Sequence, residues 1–241
     1  MKNLQRVAFT LFLGLGLANV HAQTADEIIS KHVEAIGGKE KLNSVTAIRM
    51  ENTMQVMGND APANSTLLVG KGFRSESEFN GQKIVQVVTD NGGWAINPMA
   101  GSADPTAITE EQFKDGKDQI YFEPIINYLS AGGKVELAGK EKVGNADAYK
   151  INFTNKDNIT TAYFFDANTG YLLKTVKKAN MMGQQMEITA SFSDFKKTDF
   201  GVTMPFAIDL DFGGQFQLTS KVNKISFNEP VDAVIFEMGK K

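Results

Sequence analysis

Side chains able to carry out chemistry are few in this sequence, and their spacing builds no familiar catalytic site. A Ser-His-Asp hydrolase needs an imidazole to take the proton from its nucleophile, and beyond residue 22 the sequence offers a single histidine, His32. A zinc site needs three or four nitrogen or sulfur ligands, and the chain has no cysteine. These residues therefore argue against a hydrolase triad and against a zinc centre.

Carboxylate pairs are the remaining candidates for catalysis or cation binding. Glu76 and Glu78 share one face of a predicted strand, as the two carboxyl groups of a glycan hydrolase could. Alternation places that face in water, where neither group gains an elevated pKa. Asp209 and Asp211 lack the spacing of a calcium loop and are expected on a solvent-facing strand edge. We expect a protein without catalysis, cofactor or metal; a hydrolase of envelope glycans is the enzymatic alternative.

The N-terminal residues have the pattern of a secretory signal. Lys2 and Arg6 precede an apolar run at residues 7–18, which is too short to span a bilayer as a helix, and Val20-His21-Ala22 offers small residues for cleavage. The sequence predicts a signal peptide at residues 1–22 and one domain at residues 23–241. An uncleaved membrane anchor is the alternative. We expect a periplasmic protein.

Charge and composition restrict the partners of the expected mature chain. The full chain has a formal net charge of −3, and removal of Lys2 and Arg6 makes it more negative. The lysines are scattered instead of forming a basic stripe, so nucleic acid is not an expected partner. No later segment is long and apolar enough to cross a membrane. We expect a soluble monomer without stable membrane insertion.

The pattern of apolar residues predicts a mainly β domain with a few helices. Thr24 to Ile36 has helical spacing, with Thr24 as a possible cap and Glu27 three residues later. From Val45 onward, period-two alternation recurs between Gly, Asn and Asp turns, which indicates an antiparallel sheet of about eleven strands. Residues 109–129 interrupt this pattern with a capped helix that Pro124 should break.

Alternation also assigns side chains to faces of the strands. Met50 and Met54 share the apolar face of the first strand, and Phe73 and Phe79 share a face on which the residues between them are serines. In the hairpin built on the turn at residues 90–93, the pattern puts Val85 and Val87 on one face and Trp94 with Ile96 on another.

The most distinctive feature of the sequence is its number of flexible apolar side chains. The chain has ten methionines, and an unbranched thioether side chain suits a surface that accepts variable apolar ligands. Together with the serines between Phe73 and Phe79, Met50 and Met54 indicate a cavity with room inside. The alternative is that these methionines fill an ordinary core.

Two short stretches carry a resemblance to a known family. The segment Asp90-Asn91-Gly92-Gly93-Trp94 is followed by Asn97-Pro98, and Pro230 to Met238 reads PVDAVIFEM. They resemble the Asp-Gly turn, Trp and Asn-Pro strand end, and the closing Val-Asp-Ala segment, of outer-membrane lipoprotein-sorting proteins of the LolA/LolB type. Residues 25–45 look like the opening of the Bacteroidetes-type members. The order of elements agrees over essentially the whole expected mature chain.

The resemblance implies a curved antiparallel half-barrel covered by helices, with an apolar cavity for lipoprotein acyl chains. Trp94 would be a wall or floor of that cavity; the alternative is a core plug under the cover, without ligand contact. Carriers of this type have an Arg-Pro step that latches the cover, whereas this chain has Lys71-Gly72, so that role is not carried over. Under this interpretation the cavity is lined by Met50, Met54, Phe73, Phe79, Val85, Val87, Trp94, Ile96, Met99, Phe122, Ile126 and Leu129.

The function that the resemblance implies is transport of acylated lipoproteins toward the outer membrane. Each exposed methylene costs about 0.8 kcal/mol, so a chain of about 16 carbons needs shielding worth on the order of 12 kcal/mol. The implied partners are an inner-membrane ABC-type exporter and an outer-membrane acceptor. The alternative on the same fold is a sensor or interaction domain that binds a peptide or a non-protein lipid.

Overall fold

The fold is given by a computed structural model that describes residues 23–56, 58–181 and 184–239. The predicted signal peptide, Met57 and Met182 lie outside the described residues. The helices are α1 (Ala25–Ile36), α2 (Lys39–Asn43) and α3 (Glu110–Gly116). Short 3₁₀ helices occupy Pro98–Ala100, Lys117–Ile120, Pro124–Asn127 and Ala233–Phe236. No helix in the described part of the chain is long and apolar enough to cross a membrane.

The predicted cap of the first helix is present. The Thr24 hydroxyl accepts a hydrogen bond from the Glu27 N–H at 3.2 Å, and the Glu27 carboxylate accepts one from the Thr24 N–H at 3.0 Å. This capping box satisfies two N–H groups that have no partner inside the helix. Gly37, with φ +139°, ends the helix.

All the described strands belong to one antiparallel sheet. Its thirteen strands are β1 (Ala47–Val56), β2 (Asn59–Leu68), β3 (Gly72–Phe79), β4 (Gln82–Thr89), β5 (Gly93–Asn97), β6 (Ser102–Ala107), β7 (Lys134–Val143), β8 (Ala146–Thr154), β9 (Thr160–Asp166), β10 (Leu172–Met181), β11 (Gln184–Lys197), β12 (Thr203–Phe212) and β13 (Gln217–Phe227). The order is β6-β5-β4-β3-β2-β1-β13-β12-β11-β10-β9-β8-β7, so β6 and β7 are edges and the sheet is an open half-barrel. The predicted mainly β fold class is confirmed.

The expected number of strands was too low because β2 and β6 did not have the composition of strands. Each contains a proline, Pro62 and Pro105, which lacks the N–H that a central strand position donates. Pairing of β2 with β3 begins at Ala63, so Pro62 lies where β2 pairs with β1 alone. Strand β6 is an edge of the sheet, where one side needs no partner.

The two faces of the sheet carry different layers. We call the face on which α1 packs the inner face, and the opposite one the outer face. Ile29 and Val33 of α1 pack with Ile151 of β8 and Phe165 of β9 in the main core. A second inner-face cluster contains Ile48 of β1, together with Leu67, Phe73 and Phe227. The register places Ile48 opposite Leu67 and Phe227, which continues the inner face from β13 through β1 to β2.

Residues 109–133, which we call the cover segment, join the two edges of the sheet. Helix α3 contacts β10, and the 3₁₀ turn after it contacts β3 and β4. The predicted helix is shorter than expected: α3 ends at Gly116, well before Pro124, and Tyr121 is extended. Glu123 has a left-handed conformation with φ +50°, which prevents continuation into the turn that begins at Pro124. The cover segment is therefore a chain of short turns.

Candidate functional site

The candidate site is the part of the inner face that lies away from α1. The register links Met54 to Ser220, Ser220 to Ile208, and Ile208 to Phe192, which packs against the main core, so all four positions face inward. Half-buried apolar side chains continue along this face at Met54, Val56, Phe79, Ile84, Met186, Ile188, Ile208, Leu210, Phe212 and Leu218. In the described chain, the clusters around α1 do not extend to these residues. A contiguous set of partly exposed apolar side chains marks a surface that can take an apolar partner.

Four predicted residues lie on this face. Met50 and Phe73 are at the covered end, where they pack against the second inner-face cluster. Met54 and Phe79 are half-buried at the open end. The small side chains that the sequence indicated are also there: Ser75 and Ser77 face inward on β3, opposite Ser65 and Ala63 of β2. Ala63 and Ser65 are buried, so neighbouring side chains cover the short residues on β2.

The structure places four other predicted residues on the outer face. Val87 is paired with Trp94, and Val85 with Ile96, so all four side chains are on one face. The expectation that the two valines and the Trp94–Ile96 pair have different faces is thus wrong, because directly opposed residues of antiparallel strands point the same way. The neighbouring residues Phe73 and Val88 carry the inner face through this region.

Trp94 is covered by the C-terminal segment instead of by the helices. It packs with Val85, Val87 and Phe236 in a small outer-face core. Its indole Nε1 donates a hydrogen bond to the Phe236 carbonyl oxygen at 2.9 Å. The two stretches that carried the family resemblance therefore meet in space as one packing unit, on the face opposite to the candidate site.

Arg74 completes the outer-face unit. Its guanidinium lies 5.3 Å from the centroid of the Trp94 ring, donates to the Ile235 carbonyl oxygen at 2.8 Å and contacts the Glu76 carboxylate at 2.7 Å. Glu76 is thus partly buried, where alternation predicted water. Burial alone would raise the pKa of Glu76, but hydrogen bonds from Arg74 and Lys83 outweigh it and lower the pKa. The Glu76 carboxylate is therefore charged and forms a structural ion pair with Arg74.

Of the remaining four predicted residues, two line a crevice beneath the cover segment and two are exposed to solvent. Phe122 and Ile126 are half-buried, pack against the main core, and line a crevice of about 540 Å³ beneath the cover segment. Leu129 and Met99 are 74% and 61% exposed. The structure therefore does not bring Leu129 or Met99 to the inner face as it does Met54.

Polar contacts hold the cover segment to α1 and to the sheet. The Tyr128 hydroxyl donates to the Asp26 carboxylate at 2.5 Å, and this bond, with burial, raises the pKa of Tyr128 to about 12. Glu123 lies 3.7 Å from Nε2 of the buried His32. The Lys71 ammonium is 3.9 Å from the Asp90 carboxylate, and the Lys71 side chain is 69% exposed. Residues other than Lys71, such as Tyr128 and Glu123, therefore attach the cover segment to α1.

The described residues contain no group of three or more His, Asp or Glu side chains arranged to hold an ion. Sequence reasoning missed much of the inner face. Ile188, Leu210 and Leu218 lie on strands that were predicted, and alternation already separates them from Thr189, Asp209 and Thr219. That signal could have extended the predicted site to β11, β12 and β13.

Comparison with solved structures supports the fold. The chain is similar to a LolA superfamily protein from Nitrosomonas europaea, with a TM-score of 0.57 and 12% identity over 90% of this chain and 98% of the other. It is similar to an outer membrane lipoprotein-sorting protein domain from Vibrio parahaemolyticus, with a TM-score of 0.56 and 12% identity over 86% and 95%. A DUF1329 family protein from Desulfovibrio piger follows, with a TM-score of 0.51 and 11% identity over 90% and 98%.

No family model and no curated protein sequence matches the chain. The likeness to the LolA/LolB type that short motifs indicated is confirmed at the level of the fold.

Proposed function

We propose that this protein is a soluble periplasmic carrier that shields the acyl chains of lipoproteins on its inner face and delivers them toward the outer membrane. The observation that carries the proposal is the row of half-buried apolar side chains from Met54 through Ile208 and Leu210 to Ile188. A surface of this kind, left open at one end of a rigid sheet, suits a long apolar ligand. The shared fold with a lipoprotein-sorting domain supports the same function.

The physical requirement for such a carrier is reversible shielding. Exposure of an acyl chain of about 16 carbons to water costs about 12 kcal/mol. Transfer to an acceptor nevertheless requires that the chain can dissociate from the carrier. Methionines at positions 54 and 186 line the open end with conformationally soft side chains. The cover segment is made of short turns, and it is attached by the buried side chains of Ile125 and Tyr128 as well as by polar contacts.

The experiment that tests the proposal is release of lipoprotein from membranes. Spheroplasts carrying a radiolabelled lipoprotein are incubated with the purified protein, and the soluble fraction is assayed for label. The carrier function predicts a soluble one-to-one complex. A supernatant without lipoprotein would reject it, and a protein that instead retains a peptide or a non-protein lipid would support the sensor alternative.

A matched pair of substitutions tests the location of the site. Leu210→Asn places an amide on the inner face, and Asp209→Asn changes the neighbouring exposed residue on the outer face. An acyl-chain site on the inner face predicts reduced release by Leu210→Asn alone. Equal release by both variants and the unmodified protein would remove the inner face as the site.

A further inference from the structure

One patch of the inner face combines side-chain hydroxyl groups with an ammonium group. On β9 and β10, Thr161 is directly opposite Lys177, and Tyr163 is directly opposite Thr175. Directly opposed side chains in an antiparallel pair have Cβ atoms about 5 Å apart. Three hydroxyl groups and one ammonium therefore share a patch two residues wide on two adjacent strands, which we call the β9–β10 patch.

The hydrogen-bonding capacity of this patch is largely unused. The Lys177 ammonium donates to the Asp115 carbonyl oxygen of α3 at 3.1 Å, which uses one of its three donors. Tyr163 is buried in the main core, with its ring stacked on Phe165. Thr161 and Thr175 are half-buried, and their hydroxyl groups have no hydrogen bond to any described residue. Polar groups in an apolar setting are normally satisfied, so these two hydroxyl groups are suited to an external partner.

Lys177 is also exceptional as a charge. The inward-facing positions of β1, β12 and β13 that surround the open end are uncharged, among them Met54, Leu210 and Leu218. On β11, Met186 and Ile188 precede Ala190 on the same face. An ammonium beside an apolar surface of this extent attracts an anion that itself carries apolar groups.

The neighbours of Lys177 restrict the charge of that anion. Burial lowers the pKa of Lys177, and the charges of Asp115 and Asp118 oppose that change. Both carboxylates have other partners: Asp115 accepts from the Asn180 N–H at 3.0 Å, and Asp118 from the Asn155 side chain at 2.7 Å. Because the two carboxylates oppose the attraction of the single ammonium, they disfavour a phosphate dianion more strongly than a carboxylate monoanion.

The position of the patch suits the head of an amphiphile. Lys177 and Ala179 contribute to a solvent-open cavity of about 910 Å³ beside α3, whose other strand residues, among them Lys150, Ala162 and Lys178, lie on the outer face, so solvent reaches this edge of the inner face at Lys177. From β10, the apolar inner face continues across β11, β12 and β13 to β1. Four strand intervals of about 4.8 Å give a path of roughly 19 Å, the length of a long acyl chain.

We infer that the inner face binds a free long-chain fatty acid, with its carboxylate on the β9–β10 patch and its hydrocarbon chain across β11, β12, β13 and β1. The inference rests on the proposed function, since it takes the inner face as the acyl-chain site, and it adds a head-group specificity. Lys177 supplies the opposite charge, and the hydroxyls of Thr161 and Thr175 supply hydrogen bonds to the carboxylate oxygens.

The test compares two probes that differ only in the head group. A long-chain fatty acid with a fluorophore at the tail end and its methyl ester are titrated into the purified protein. Hydrogen bonds to a charged group predict that the acid binds at least about tenfold more tightly than the ester. A phosphatidic acid with the same tail label serves as the phosphate arm and should bind less tightly than the fatty acid.

Variants separate recognition by Lys177 from its contact with α3. Lys177→Met should abolish the preference for acid over ester, and Lys177→Arg should keep it. Lys178→Met is the matched control, because the next residue along β10 is exposed on the outer face, and it should behave like the unmodified protein. The double change Thr161→Val and Thr175→Val leaves the Lys177 contact with α3 in place and should still reduce the preference.

Each outcome bears on a different claim. Equal binding of acid and ester by the unmodified protein would overturn the head-group inference and leave acyl-chain binding intact. Tighter binding of phosphatidic acid would replace the carboxylate by a phosphate and also overturn it. Binding of none of the labelled probes would count against the proposed function itself.

Discussion

The indole nitrogen of Trp94 donates its hydrogen bond to the carbonyl oxygen of Phe236 at 2.9 Å, across a sequence separation of 142 residues. This bond fastens the C-terminal segment to the outer face of β3, β4 and β5. Arg49 supports the same segment by donating to the Pro230 carbonyl oxygen at 3.0 Å. The segment thereby covers apolar side chains of the outer face that a half-barrel strand would otherwise expose to water.

Because Trp94 is on the outer face, we predict that its replacement changes stability and leaves ligand binding unchanged. Trp94→Phe keeps an aromatic ring but removes the donor to Phe236, and it should lower the free energy of unfolding by about 1–3 kcal/mol. Chemical denaturation measures this change, and titration with a labelled acyl probe measures binding. A variant that keeps its stability but loses affinity for the probe would contradict the assignment of Trp94 to the outer face.

Trp94 shows which features of the structure can be predicted from the sequence and which cannot. Local signals sufficed for the capping box at Thr24 and Glu27 and for the alternation within β3, because each depends on residues a few positions apart. The face of Trp94 depends on the register between β4 and β5 and on a segment that returns from the far end of the chain. Alternation tells which residues share a face and cannot tell which layer covers it.

The candidate site also combines residues that local sequence patterns predict with residues that only long-range strand pairing reveals. Met54 and Phe79 were predicted from alternation and small neighbours, and the structure places both on the inner face. The β9–β10 patch was not predicted, since it requires that Thr161 and Lys177 lie opposite one another across a hairpin. Leu129 was expected inside because an apolar run followed Pro124, yet it is exposed because the cover segment is made of turns.

Substitution at the open end of the inner face should lower affinity for acyl chains without large effects on the fold. Ile188→Asn puts an amide beside the bound hydrocarbon, where burial of an unpaired polar group costs about 1–3 kcal/mol, or roughly five- to a hundredfold in affinity. Ile188 is half-buried, so the sheet should tolerate the change. Titration with a labelled acyl ester measures the loss, and circular dichroism checks the sheet. Unchanged affinity in a folded variant would argue against this surface.

The Arg74–Glu76 contact predicts a dependence of stability on acid pH. Because its folded-state pKa is lowered, Glu76 contributes stability that is present above the unfolded value of about 4.3 and is lost as the pH falls through the folded value. The variant Glu76→Gln should therefore be less stable than the unmodified protein at pH 7, and the difference should shrink as the pH falls below about 4. Denaturant titrations at several pH values measure it. A constant difference across that range would exclude Glu76 as its source.

The hydrogen bond from Tyr128 to Asp26 allows a test of how strongly the cover segment is attached to α1. Its pKa is raised to about 12 by the bond to Asp26 and by burial, so its contribution to stability is complete below the ordinary value of about 10 and is lost as the pH rises through about 12. Tyr128→Phe removes the bond and should destabilise the attachment by about 1 kcal/mol at pH 7. Hydrogen exchange should then quicken at residues 123–128 and stay unchanged in the central strands. Uniform quickening over the whole sheet would show instead that Tyr128 supports global folding.

Gly72 offers a test of the C-terminal segment that does not touch Trp94. A Cβ at this position would lie 2.7 Å from the ring of Phe236, and Gly72 has no left-handed backbone conformation that would complicate a replacement. Gly72→Ala should therefore cost about 1–3 kcal/mol through overpacking against the ring. In a Phe236→Leu background the smaller side chain relieves that contact, so the added cost of the alanine should fall. A double-mutant cycle measured by chemical denaturation gives this coupling, and strictly additive effects would mean that the C-terminal segment does not pack on β3 as described.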